Sequence, residues 1–260
     1  MTASPQSLTA AALLCVFTVL VWRFVRKDRE DYELFKAVSD SAERRAFYRR
    51  WLAVSLLTFG LGTLASLAIL GRLSAVTTLP KEFAPLADPL GVLRDSGPAL
   101  SPSFWAGFGG AVLVMGVLAV LSARLLRRKA TAPFMLGDIQ PLMPRNAAER
   151  TWTALLSINA GVSEELFFRL LLPLLLTTVT GNALFAFAAS ALIFGLIHLY
   201  QGWLGVVATT LLGLLLTRIY LMSGDLWVVM LIHAAIDLNG LVLVPLVRDL
   251  VGRRLAQAGS

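Results

Sequence analysis

The 260 residues are 57% hydrophobic and only 15% charged, with a mean hydropathy of +0.74. Soluble domains average ~45–50% apolar and ~25% charged residues, so an ordinary soluble domain is excluded. The net charge of +7 and pI near 10.2 do not indicate nucleic acid, because the basic residues gather in alternate segments between apolar blocks, a pattern of membrane topology.

The blocks predict an all-α, polytopic transmembrane bundle of about seven spans, each near the length needed for a ~30 Å hydrocarbon core. The first, 8–25, contains the single cysteine, Cys15, which excludes an intramolecular disulfide or a cysteine metal cluster. No basic residue precedes this block, and Arg23, Arg26 and Lys27 fall where a cleavage site would sit. It therefore reads as a retained helix, not a signal peptide. Residues 26–50 carry both charge signs, with Leu34, Phe35, Val38, Ala42 and Phe47 near helical spacing, which predicts an interfacial or cytoplasmic helix.

The second span is 51–71. Residues 72–103 hold Pro80, Pro85, Pro89, Pro98 and Pro102 and read as an irregular loop. The remaining spans are 104–124, 151–172, 183–200, 203–222 and 226–246, with Pro173 expected to end or kink the fourth. Arg218, in the sixth, reads as a cation reaching the interface near Asp225. With the N-terminus outside, eighteen Lys and Arg residues flank or occupy the inner segments and only Arg72, Lys81 and Arg94 the outer ones. That predicts N-out, C-in. Three regions follow: N-terminal helices with a cytoplasmic amphipathic segment and an extracytoplasmic loop (1–140), a transmembrane core that carries the ionisable residues within spans (141–250), and a short basic cytoplasmic tail (251–260).

Charge inside a span costs at least ~2.5–3.5 kcal/mol on insertion scales and marks function. The fourth span holds Glu164, Glu165 and Arg169. Glu165 and Arg169 stand i, i+4 on one face and can pair. Glu164 lies ~100° around the helix and meets only Phe168 four residues on, so its carboxylate is left for another helix. The two histidines of the chain, His198 and His233, both lie in later apolar spans, His233 four residues before Asp237.

A buried Glu with a neighbouring His can activate water, and a second His can donate to the oxyanion formed at a carbonyl. Asp237 can orient the His233 ring as a carboxylate does in hydrolase triads. Ionised, it cannot itself donate to an oxyanion. The same side chains offer a zinc-like set of Glu164, His198 and His233. Lacking His-Glu-x-x-His, and spread over three helices, they are read here as a metal-free site, with zinc as the alternative.

Glu164-Glu165-Leu166-Phe167-Phe168-Arg169, Phe194-Gly195-Leu196-Ile197-His198 and His233-Ala234-Ala235-Ile236-Asp237 stand in order, with a Gly224-Asp225-Leu226-Trp227 turn before the last. Over roughly residues 145–245 this resembles the CPBP (CaaX-processing and bacteriocin-processing, Abi) family of glutamic-type intramembrane endopeptidases. The resemblance implies that Glu164 and His198 activate the water. It also implies that His233 and the residue at Asp237 stabilise the oxyanion, and that Glu165 and Arg169 support the site. Where members carry Asn at the last position this chain has Asp237, which favours a ring-orienting role there. The implied partners are a membrane-associated protein or peptide substrate and the lipid bilayer, with no nucleic acid, in the inner membrane of a bacterium. Two other readings compete: a non-enzymatic scaffold or immunity protein keeping the fold, and a proton-coupled transporter.

Overall fold

The computed structural model describes residues 4–87, 109, 137–247 and 249–250, with no strand among them. Its long helices are α1 (Pro5–Ala37), α2 (Ser41–Ile69), α3 (147–180), α4 (Ala183–Ile197), α5 (Gly202–Ser223) and α6 (Leu226–Val247). Three of them contain a π turn: Leu56–Leu61 in α2, Leu166–Leu171 in α3 and Asn239–Leu243 in α6.

Local chemistry sets the boundaries. Side chains of Asp40, Asn146, Asn182 and Asp225 accept from the first-turn N–H groups of Glu43, Glu149, Phe185 and Trp227 at 2.8–3.0 Å, starting α2, α3, α4 and α6. Gly181 and Gly224 take positive φ (70° and 67°) to end α3 and α5. The Gly-Asp turn seen in the sequence is thus a helix stop followed at once by a helix start.

Four helices are long and apolar enough to cross a membrane: α1, α2, α6 and the stretch Leu199–Ser223 containing α5. The expected span 104–124 lies outside the described residues. At 15 residues, α4 is only ~22 Å long, short of a ~30 Å core. The fourth expected span is the middle of the longer α3, whose interior carries Glu164, Glu165 and Arg169.

Two expectations are corrected. Residues 26–50 are not a separate helix: they are the end of α1 and the start of α2, broken at 38–40 where Asp40 restarts the chain. Pro173 does not end its helix, because it follows the π turn and the chain stays helical to Thr180. Proline lacks the N–H that would serve a carbonyl in the preceding turn. Within that turn the Ser190 hydroxyl of α4 donates to Phe168 O at 2.6 Å, which satisfies one carbonyl beside the proline. Arg218 is exposed and forms no ion pair with Asp225, whose carboxylate caps α6.

Small residues set the packing. Helix α3 lies against α6 and α2, its C-terminal half lies against α1 and α4, and α4 lies against α5. A Cβ on Gly161 would stand 2.6 Å from Ala234 N, so only glycine permits this approach of α3 to α6. On Gly195 it would stand 2.0 Å from Thr210 Oγ1, which likewise sets α4 on α5.

Away from the apolar core, Arg44 of α2 is fully buried and joins Glu149 of α3 at 3.1 Å. It donates to Tyr48 Oη, Pro141 O and Met143 O at 2.9–3.2 Å and lies 4.1 Å over the Phe35 ring. This buried, multiply bonded charge ties the α1–α2 hairpin to the start of α3.

Candidate active site

The two adjacent glutamates of α3 face different surroundings. Glu165 is fully buried, with Oε2 3.0 Å from Arg169 Nε and Oε1 2.7 Å from His233 Nδ1 on α6. The i, i+4 pair expected from the sequence is present, and the same carboxylate also holds a histidine 68 residues away. Glu164 is 9% exposed, and its Oε2 finds no hydrogen-bond partner among the described residues.

The Phe194 ring sits at the centre of the polar residues. Arg169 lies 4.3 Å over it, and His198 and His233 meet it edge to face at centroid distances of 4.9 and 5.8 Å. Cation–ring attraction offsets part of the cost of burying the guanidinium, whose terminal nitrogens have no hydrogen-bond partner among the described residues.

His198, at the C-terminal end of α4, has Nδ1 2.8 Å from Phe194 O. A carbonyl only accepts, so Nδ1 carries the proton and the neutral ring keeps its lone pair on Nε2. His233 has Nδ1 on Glu165 and Nε2 3.7 Å from Asp237 Oδ2. The carboxylate at hydrogen-bond distance from this ring is therefore Glu165, while Asp237 stands farther off.

Glu164, His198 and Asp237 line one cavity of about 120 Å³, room for several waters. His233, Glu165 and Arg169 lie behind that wall. Asn159, one and a half turns before Glu164, also lines the cavity, and its Nδ2 has no hydrogen-bond partner among the described residues. The opposite side comes from the N-terminal hairpin through Phe24, Asp28, Tyr32 and Trp51. Sequence reasoning missed Asn159 and this second wall. The available signals were a polar residue on the Glu164 helix and the i, i+4, i+8 spacing of Phe24, Asp28 and Tyr32.

Among the described residues, no three His, Cys, Asp or Glu side chains stand close enough to hold a metal ion. The alternative zinc set of Glu164, His198 and His233 does not form such a group.

Buried carboxylates and a histidine lining one cavity among apolar helices mark a functional site, because such groups are costly to place there. Residues 146–239 match the family model described as type II CAAX prenyl endopeptidase Rce1-like, and this match supports the CPBP/CAAX protease family for that part of the chain. Comparison with the curated proteins and with the solved structures found no match. The matched family is one of proteases, which supports peptide-bond hydrolysis in a membrane setting as the class of reaction.

Proposed function

We propose that the chain is an intramembrane endopeptidase in which Glu164 and His198 activate a water molecule to attack a peptide bond of a membrane-associated protein or peptide. One observation carries this reading: an unpartnered, buried Glu164 oxygen shares a cavity with His198, whose Nδ1 is tied to Phe194 O. That tie leaves Nε2 as the lone-pair nitrogen, the one able to hold or accept a proton from water. Glu164 takes the proton as the water attacks and returns it to the leaving amine.

His233, with Nδ1 on Glu165 and Nε2 3.7 Å from Asp237, supports the oxyanion side of the site from behind the cavity wall. Glu165 and Arg169 hold that ring in place. Since an ionised Asp237 is an acceptor only, the neutral amide donor on this wall is Asn159. The mechanism needs no metal. The seven-span, N-out, C-in arrangement in a bacterial inner membrane rests on the placement of Lys and Arg.

The test is Glu164→Gln and His198→Ala, expressed in cells lacking the native copy, with membrane and secreted protein termini mapped. Both variants are expected to abolish the same cleavages. Preserved processing in both overturns the protease reading, and solute uptake by proteoliposomes that vanishes in the same variants identifies a transporter instead.

A further inference from the structure

Helix α1 lies outside the matched segment 146–239, yet it supplies a charged residue to the cavity. Phe24, Asp28 and Tyr32 follow at i, i+4 and i+8, one stripe along the helix, and all three line the cavity with Glu164 and His198. Two cations stand near Asp28, and both are engaged elsewhere. Lys27 Nζ lies 3.2 Å and Arg50 Nη2 2.5 Å from the carboxylate of Asp31. Arg50 acts on Asp28 only through space, and no ion pair or hydrogen bond to Asp28 occurs among the described residues.

The surroundings of Asp28 are aromatic. The Tyr32 ring packs on Tyr200 at a centroid distance of 4.9 Å, and Tyr200 in turn lies 6.0 Å from the His198 ring. Tyr200 is within electrostatic range of both Asp28 and Glu164. Lys36 Nζ already lies 5.0 Å over the Tyr32 ring. A carboxylate with no ion-pair partner among the described residues, beside the remaining ring surface of a partly desolvated cavity, is a set that recognises an ammonium or guanidinium group by charge and ring face together.

We propose that Asp28, with the rings of Tyr32 and Tyr200, forms a specificity subsite that takes a lysine or arginine side chain of the substrate polypeptide close to the bond being cut. The proposal rests on the protease reading above. It assigns the N-terminal helix a part in choosing the substrate, where Glu164 and His198 supply the chemistry.

The experiment uses the purified full-length chain in lipid nanodiscs and a positional-scanning library of quenched fluorogenic peptides. Each position in turn carries Lys, norleucine or Glu, and kcat/KM is read for every member. At one position near the cut, Lys is expected to exceed norleucine by about tenfold or more. Asp28→Asn is expected to bring that ratio toward one, and Asp28→Lys to reverse the preference toward Glu, which a merely structural role of Asp28 would not do. Cleavage without a Lys preference, or a preference that survives Asp28→Asn, overturns the subsite and leaves the protease reading standing. A library of which no member is cut, or cleavage that persists in Glu164→Gln, overturns the protease reading and the subsite with it.

Discussion

Glu165 stands between Arg169 and His233, 3.0 Å from the guanidinium on its own helix and 2.7 Å from the imidazole on α6. Its neighbour Glu164 faces the cavity with one oxygen unpartnered among the described residues. The two carboxylates are therefore expected to fail differently. Glu164→Gln should cost on the order of 10²–10⁴-fold in kcat, the range of a lost general base, with an unchanged melting temperature. Glu165→Gln leaves a buried guanidinium without its counter-charge and should cost about 3–5 kcal/mol of stability as well as activity. Thermal unfolding in detergent, set beside turnover, separates the two.

Asn159 supplies the neutral amide on the catalytic wall. Its replacement by Leu is expected to lower kcat by about 10²–10³-fold, as loss of an oxyanion donor does, with little change in KM. A variant that binds poorly but turns over normally would assign Asn159 to substrate binding instead.

The approach of α3 to α6 depends on Gly161. In Gly161→Ala the new methyl meets Ala234 N at 2.6 Å and Ala234 Cβ at 2.7 Å, a clash expected to cost about 1–3 kcal/mol. It should also loosen the Glu165–His233 contact and so reduce turnover. Adding Ala234→Gly should recover only part of the loss, because the backbone nitrogen remains in place. Full recovery in the double variant would show that side-chain crowding alone sets the spacing.

The Arg44–Glu149 anchor carries a pH dependence. Burial acts to raise the Glu149 carboxyl, but the Arg145 N–H, the Ser41 side chain and Arg44 outweigh it and hold the group below its ordinary value. A carboxylate depressed in the folded state stabilises fully above its unfolded pKa, and this stability is lost as pH falls through the folded one. The melting temperature should therefore drop as pH falls below about 4–5. Comparing wild type with Glu149→Gln over that range checks it: the variant should start lower and show a flatter profile.

Because no three His, Cys, Asp or Glu side chains stand close enough to share a metal ion among the described residues, chelation is expected to leave cleavage intact. Purified protein should contain sub-stoichiometric zinc by elemental analysis. Stoichiometric zinc whose removal abolishes turnover would overturn the metal-free mechanism.

Much of this site could be read along the chain. The four-residue spacing of Glu165 and Arg169 requires that they share a helical face, and Phe168 leaves Glu164 without a local partner. Two histidines and an aspartate in apolar spans mark where polar chemistry is tolerated. Gly224 and Asp225 write a helix stop and start into adjacent positions, because positive φ and side-chain capping are local properties.

Only the tertiary structure decided which long-range partners meet. Glu165 and His233, or Arg44 and Glu149, are separated by 68 and 105 residues, and no periodicity encodes which helices cross. The crossing is set by the absence of a side chain at Gly161, visible only once Ala234 is opposite it. Helicity through Pro173 goes with a π turn and with the Ser190 hydroxyl brought in from α4. The sequence alone determined that a carboxylate would stand unpaired in the membrane; the packing of α1 and α2 against α3 decided what faces it, because a cavity is a property of surfaces brought together and not of any one segment.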